Sequence, residues 1–147
     1  MNEIKLFNES NKPSSKEKLE IVEFLFEHLE NFGDSKNDIE KAVNYALKET
    51  NSFGGFVLQA FEGDRLSCVV VVNQTGMKGY IPENILVYIA THNELRGRGI
   101  GKMMMLKAIE IADGNIALHV EPDNPARFLY EKIGFANKYL EMRYKKK

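Results

Sequence analysis

The chain has 147 residues, a formal net charge of −1 and one cysteine, and these values exclude several classes of protein. Its length suits one domain with its own core, so we expect a single domain over residues 1–147. The near-zero charge argues against a general affinity for nucleic acid or membranes. Cys68 has no partner for a disulfide, no signal peptide opens the sequence and no apolar run could span a bilayer, so we expect a cytoplasmic protein.

The first part of the chain predicts a short strand over residues 4–7, followed by a helix. Ser14 or Ser15 can cap this helix, which should run to about Phe32. Its apolar residues recur at helical spacing and should face the core: Leu19, Val22, Leu25 or Phe26, Leu29 and Phe32. His28 falls on the polar side of this pattern, so we expect it at the surface.

The next segment predicts a second helix and then a β-hairpin. Ser35-x-x-Asp38 resembles a capping box. The apolar stripe behind it should be buried: Ile39, Ala42, Val43, Ala46 and Leu47. Residues 56–61 and 66–72 read as strands, and the segment between them, with Gly63, is typical of a hairpin turn.

The second half predicts a long loop over residues 73–84 and then alternating strands and helices. In order, a strand, a helix, a strand, a helix and a final strand should cover residues 85–91, 102–112, 116–120, 125–132 and 139–144. The whole order favours an α+β fold with a mixed, mostly antiparallel central sheet flanked by helices in a three-layer-like arrangement.

The most informative motif is Arg96-Gly97-Arg98-Gly99-Ile100-Gly101, which lies between a predicted strand and a predicted helix. Free backbone N–H groups and the positive end of the dipole make a helix N-terminus a receptor for phosphate, most simply a pyrophosphate. The spacing fits neither a Walker loop nor the G-x-G-x-x-G dinucleotide motif, which disfavours a nucleotide-binding regulator. A glycine-rich turn that only joins a strand to a helix is the alternative.

The segment Arg96-x-x-Gly99-x-Gly101 resembles the acetyl-coenzyme A signature, Q/R-x-x-G-x-G/A, of the GNAT superfamily of N-acetyltransferases. Ile89-Ala90-Thr91-His92 resembles the end of the family's fourth strand, and residues 117–120 its fifth. Residues 123–135 resemble its last helix and the ending Y-E-K-x-G-F. The resemblance implies that strands 85–91 and 116–120 run parallel and splay apart, with coenzyme A in the gap.

The resemblance also implies which residues contact the coenzyme. They are Ile89, Ala90, Thr91, Arg96, Gly97, Arg98, Gly99, Ile100, Gly101, Lys102, Asp123, Asn124, Ala126 and Tyr130. One position departs from the family pattern, which has an asparagine seven residues before the tyrosine. Asp123 stands there and Asn124 is one residue later, so either the turn is shorter or Asp123 takes the role.

Transfer to an amine needs a neutral amine, a stabilised oxyanion and a proton for the leaving thiolate. Tyr130 matches the tyrosine that supplies this proton in many family members. His119 occupies the place of a glutamate implicated as base in the ribosomal-protein acetyltransferase branch, and an imidazole titrates near neutrality. Glu83 is the second candidate base, whereas His92 is expected to be a turn residue. A structural histidine at 119 is the alternative.

These observations predict an acetyl-coenzyme A-dependent N-acetyltransferase that acts on a small-molecule or peptide amine. A GNAT-fold module that senses coenzyme A without transfer is the alternative from the class of binding proteins. We expect no metal, since Met103-Met104-Met105 reads as a core cluster with no histidine or cysteine nearby. A homodimer is compatible with these expectations.

Overall fold

The computed structural model describes residues 2–146; Met1 and Lys147, which the predicted domain includes, lie outside the described residues. The first elements are β1 (Asn2–Phe7), α1 (Ser15–His28), a 3-10 turn (Glu30–Phe32) and α2 (Lys36–Ala46). The remaining elements are β2 (Gly55–Glu62), β3 (Arg65–Gln74), β4 (Asn84–Thr91), α3 (Ile100–Ile111), β5 (Ile116–Leu118) and α4 (Ala126–Ile133). In the described chain no helix combines the length and the apolar character needed to cross a bilayer.

Local capping fixes where the first two helices begin. The hydroxyl of Ser14 accepts a hydrogen bond from the backbone N–H of Glu17, whose carboxylate accepts one from the Ser14 N–H, so α1 starts with a complete capping box. The hydroxyl of Ser35 accepts a hydrogen bond from the N–H of Asp38 at the start of α2. Both helix starts are therefore confirmed, with Ser14 rather than Ser15 as the cap of α1.

The five strands form one sheet in the order β1-β2-β3-β4-β5. The first four strands are antiparallel neighbours, whereas β4 and β5 run parallel. The mixed, mainly antiparallel sheet is therefore confirmed, and so is the parallel β4–β5 pair. Helices α1 and α2 cover one face through a core that includes Val69 and Val71, while α3 and α4 cover the other through a core that includes Val70 and Val72.

A β-bulge at Val87 changes the direction of the β4 side chains. Val71 pairs with Tyr88 but Val72 pairs with Leu86, so Val87 is an extra residue in the ladder. Leu86 consequently packs on the side of α3 and α4, whereas Tyr88 packs on the side of α1 and α2. The β5 ladder ends at the same level, because its last pair joins Leu86 to Leu118. Beyond this point β4 continues without β5, as the predicted splayed strands require.

Three predictions about α1 were wrong. The helix ends at His28 rather than near Phe32, which lies in the 3-10 turn that follows. His28 is buried, with only 4% of its surface exposed, because the last turn of α1 packs against the segment that follows β4. Leu19, by contrast, is 56% exposed. The buried face is shifted toward Ile21 and Phe24, which the predicted stripe did not include. Sequence periodicity therefore predicted only part of the buried stripe. Val22 and Leu25 are buried as expected.

The predicted final strand, residues 139–144, is also absent from the described part of the chain. The apolar side chains of this segment are exposed by 79–88%: Tyr139, Leu140, Met142 and Tyr144. Strand-like composition is not sufficient here, because a strand exists only where a neighbouring strand accepts and donates its backbone hydrogen bonds. The strand predicted over residues 116–120 is likewise shorter and ends at Leu118.

Candidate functional site

The turn between β4 and α3 has the backbone conformation that its glycines predict. Gly97 has φ +81° and Gly99 has φ +79°, both in the left-handed region that L side chains rarely adopt. A Cβ atom added at either position would meet no atom within 4 Å. The glycines therefore serve the turn's conformation and also leave open space above it, rather than allowing close packing against another part of the chain.

The start of α3 presents a set of backbone N–H groups without acceptors. The first N–H that bonds back along the chain is that of Met103, which donates to the Gly99 carbonyl over 3.1 Å. Gly99 is the N-cap and provides no side-chain acceptor. Among residues 2–146, no acceptor is recorded for the N–H groups of residues 98–102. With the positive end of the helix dipole, this arrangement can bind an anion that carries several oxygens.

A concave pocket of about 260 Å³ lies over this turn. Its walls join the end of β4 at Thr91, the turn itself and Leu129 of α4. Seven of the predicted coenzyme contacts therefore line one pocket: Thr91, Arg96, Gly97, Gly99, Ile100, Gly101 and Lys102. Leu95, which is 3% exposed, and Leu129 also line it, and sequence analysis missed both. Their only signal was their position next to Arg96 and Tyr130.

The two arginines of the turn differ in their contacts. The Arg96 guanidinium donates hydrogen bonds to the His28 carbonyl and to Glu30 Oε1, each over 2.7 Å, so its charge is directed toward the end of α1. Arg98 is 57% exposed and makes a longer contact of 3.5 Å with Glu62 Oε1. Within residues 2–146 no ion pair is recorded for Lys102. Arg98 and Lys102 are therefore better placed than Arg96 to attract a phosphate.

The other predicted contacts do not line this pocket. Ile89 packs toward α3 and α4, whereas Ala90 packs toward α1 and α2. Asn124 Oδ1 accepts a hydrogen bond from the Ala126 N–H over 2.9 Å and so shapes the entry into α4. Asp123 is exposed beside it. The contacts of these four residues with a coenzyme stay predictions, and so do those of Arg98, Ala126 and Tyr130, which also lie outside the pocket lining.

Tyr130 is buried on α4, with 8% of its surface exposed, and its ring meets the edge of Phe135. Burial and the nearby Cys68 thiol raise the pKa of Tyr130 to about 12, so the phenol keeps its proton at neutral pH. Among residues 2–146 no hydrogen bond to its hydroxyl is recorded, which leaves that hydroxyl able to donate to a bound molecule. Cys68 is itself buried and accepts a contact of 3.8 Å from the Thr91 hydroxyl.

The two candidate bases have different surroundings. His119 is exposed and follows the last residue of β5, and no hydrogen-bond partner is recorded for it among residues 2–146. Glu83 accepts hydrogen bonds from the N–H groups of Gly79, over 2.9 Å, and Asn115, over 2.7 Å. These two backbone donors lower the pKa of the Glu83 carboxyl. Glu83 thus joins the loop before β4 to the turn before β5, and this structural contact makes it the weaker candidate.

Two polar contacts on the α1 side had no sequence signal. The Tyr88 hydroxyl donates to Asp34 Oδ2 over 2.5 Å, and burial together with this carboxylate raises the pKa of Tyr88. The imidazoles of His28 and His92 stack with their centroids 4.2 Å apart. In the described part of the chain, no group of three or more metal-binding side chains comes together.

Comparison with known proteins agrees with this geometry. Residues 18–135 match the model of the acetyltransferase (GNAT) family. The chain is 34% identical over 109 residues to the [ribosomal protein bS18]-alanine N-acetyltransferase of Haemophilus influenzae. That match covers 71% of this chain but only 62% of the relative, so the chain spans less than two thirds of this curated protein's length.

Solved structures share the fold at low sequence identity. A predicted acetyltransferase from Clostridium acetobutylicum, described with acetyl-CoA, superposes with a TM-score of 0.68 at 16% identity, covering 97% of this chain and 96% of the other. The ribosomal-protein-S18-alanine N-acetyltransferase of Escherichia coli gives 0.63 at 14% identity, covering 91% and 77%. The predicted α+β fold is therefore confirmed.

Proposed function

The chain belongs to the acetyltransferase (GNAT) family, and from this premise we propose that it transfers an acetyl group from acetyl-coenzyme A to a primary amine. The observation that carries the proposal is the open turn at the start of α3. Within residues 2–146 no acceptor is recorded for its N–H groups at residues 98–102. Four of these residues line the pocket that extends from Thr91 to Leu129: Gly99, Ile100, Gly101 and Lys102. A pyrophosphate fits this site because its oxygens accept several hydrogen bonds and its charge suits the helix N-terminus.

Acetyl-coenzyme A supplies an activated acyl group and a thiolate leaving group. In the proposed reaction the turn holds the pyrophosphate, while the edge of β4 beyond Leu86, which β5 leaves unpaired, offers N–H groups to the developing oxyanion. Tyr130 holds a proton at its buried hydroxyl and donates it to the departing sulphur. His119, exposed beyond β5, accepts the proton that the amine loses, directly or through water.

The first acceptor to test is the N-terminal amine of an alanine peptide. The relative from Haemophilus influenzae is named for acetylating such a residue of ribosomal protein bS18. A peptide acceptor also agrees with the position of His119, because an exposed base can be reached by the end of a long chain. Lysine side chains, polyamines and free amino acids are the other acceptors that the proposed chemistry admits.

The proposal is tested by the release of free coenzyme A thiol from acetyl-coenzyme A in the presence of a panel of amines. Peptides that begin with alanine should be compared with the same peptides blocked at the N-terminus and with lysine-containing peptides that are also blocked. Turnover with any free amine supports the transferase. Tight binding of coenzyme A without turnover of any amine would instead identify the chain as a binding module.

A further inference from the structure

The segment that leads into the glycine-rich turn is attached to the end of α1 by a small network. The Arg96 guanidinium donates to the His28 carbonyl and to Glu30 Oε1. The Asn93 N–H donates to His28 Nδ1 over 3.1 Å, and the Glu94 N–H donates to His92 Nδ1 over the same distance. Each of these imidazole nitrogens accepts a hydrogen bond, which it can do only without a proton.

The charged groups around His28 shift its pKa in both directions. Burial of His28 is the main cause that lowers its pKa, and the neighbouring His92 and the Arg96 guanidinium lower it further. Arg65 Nη2, which comes from the start of β3, lies 3.4 Å from His92 Nδ1, and it also donates to Glu94 Oε1 over 2.9 Å, so its charge is paired. The carboxylates nearby act in the other direction. Glu27 Oε2 lies 3.5 Å from His28 Nε2 and raises the His28 pKa, as does Glu30, which Arg96 already pairs.

We propose that His28, His92 and Arg96 form a pH-sensitive latch that holds the glycine-rich turn in its anion-binding conformation only while the His28 imidazole is neutral. Protonation of His28 at Nδ1 removes the acceptor of the Asn93 N–H. It also places a buried positive charge against His92, with the Arg96 guanidinium nearby. Residues 92–96 then separate from α1. The backbone N–H groups of residues 98–102 consequently no longer point in a common direction. The three residues act on the coenzyme through the turn, as positioning residues.

The sign of the pH dependence follows from the direction of the His28 pKa. The latched state binds fewer protons than the open state, in which His28 titrates at its ordinary pKa of about 6.5. The latch is therefore complete above about pH 6.5 and opens as the pH falls through the lowered pKa of His28. Because His28 titrates at its ordinary pKa in the open state, its protonation lowers the affinity of the turn for pyrophosphate by at most about tenfold between about pH 7.5 and about pH 5.5.

The latch rests on the proposed binding of coenzyme A, so the test uses two measurements. The first is calorimetric binding of dephospho-coenzyme A, which keeps the pyrophosphate but lacks the 3′-phosphate monoester that would titrate in the same range. Wild-type affinity should fall from about pH 7.5 to about pH 5.5, by up to about tenfold. His28→Asn keeps an acceptor near the position of Nδ1 but cannot be protonated, so this variant should show a nearly flat profile.

The second measurement needs no ligand. The protection of the Asn93 amide against hydrogen exchange, corrected for the intrinsic effect of pH, should fall in the unliganded wild-type protein as His28 is protonated. A flat wild-type affinity profile, an undiminished pH dependence in His28→Asn, or constant Asn93 protection would each overturn the latch. A folded protein that binds dephospho-coenzyme A at no pH would overturn the proposed function instead, and the exchange measurement would still decide on the latch.

Discussion

Arg96, the first residue of the glycine-rich motif, donates a hydrogen bond of 2.7 Å to the backbone carbonyl of His28, the last residue of α1. A second bond of the same length joins it to Glu30 Oε1. The motif residue that by its charge was expected to bind phosphate thus connects the turn to a helix 68 residues earlier in the chain. Its loss should affect stability as well as affinity for the coenzyme.

Arg96→Ala should lower the free energy of unfolding by about 1–3 kcal/mol, because it removes three charge-assisted hydrogen bonds, to Thr91, His28 and Glu30, from a half-exposed site. Arg98→Ala is the matched control, since its single contact with Glu62 is longer and more exposed, and it should change stability by less than about 0.5 kcal/mol. Urea denaturation of both variants measures the difference. Equal stabilities would show that the contacts of Arg96 do not support the turn.

Arg98→Ala should instead weaken coenzyme A binding about two- to fivefold at low ionic strength, because its exposed charge is free to attract phosphate. The loss should shrink when salt is added, since salt screens exposed charges. Titration calorimetry at two salt concentrations gives both values. A loss that is independent of salt would indicate a change in the turn's conformation rather than a missing charge.

Gly99→Glu should abolish coenzyme A binding, with a loss of at least about 100-fold, because a side chain enters the open space over the unpaired N–H groups and carries a repelling charge. Gly99→Gln separates the effect of bulk from that of charge. Gly79→Gln is the control for backbone strain, because Gly79 also has a left-handed φ, +84°, and open space around it. Binding by folded Gly99→Glu at wild-type affinity would refute the pyrophosphate site.

Tyr130→Phe should reduce turnover about 100-fold or more while acetyl-coenzyme A binding stays close to wild type. The substitution keeps the buried ring, including its edge contact with Phe135, and removes only the hydroxyl. Burial raises the pKa of Tyr130 to about 12, so deprotonation of Tyr130 should not lower the wild-type rate at any pH below about 10. Normal turnover in the variant would make the hydroxyl dispensable.

Glu83→Gln should impair stability, whereas His119→Gln should impair turnover. Glu83 accepts two backbone hydrogen bonds that lower its pKa, so its contribution to stability is present above its ordinary pKa of about 4.3 and is lost as the pH falls through the lowered value. Glu83→Gln should therefore lower the melting temperature at neutral pH, less so in acid, and leave turnover unchanged. If turnover falls while the melting temperature stays constant, Glu83 acts as the base.

His119→Gln should leave stability unchanged, because the exposed imidazole has no recorded partner among residues 2–146, but it should lower the plateau rate. The rising limb of the wild-type pH–rate profile also contains the titration of the amine, so only the comparison with the variant assigns the base. An unchanged plateau rate and an unchanged low-pH limb would make His119 a surface residue, and the base would then be Glu83 or a water held by backbone groups.

The sequence alone determined the features that depend only on residues close to one another along the chain. Ser14 and Ser35 marked two helix starts because a cap is decided within one turn of chain. Gly97 and Gly99 marked the turn before α3, which is predicted to bind an anion, because a left-handed backbone is a local property. The order of strands and helices sufficed to predict the mixed sheet. It also predicted a strand over residues 139–144 that the structure does not contain in the described part of the chain.

Only the tertiary structure decided the contacts between distant segments. His28 is buried because the segment after β4 packs on it, and Arg96 is directed toward α1 for the same reason. The bulge at Val87 lies level with the end of the β5 pairing and changes the face to which the β4 side chains point, and it depends on register with β3. Helical or strand periodicity describes one element at a time, whereas burial, hydrogen-bond partners and register depend on which other elements pack against it.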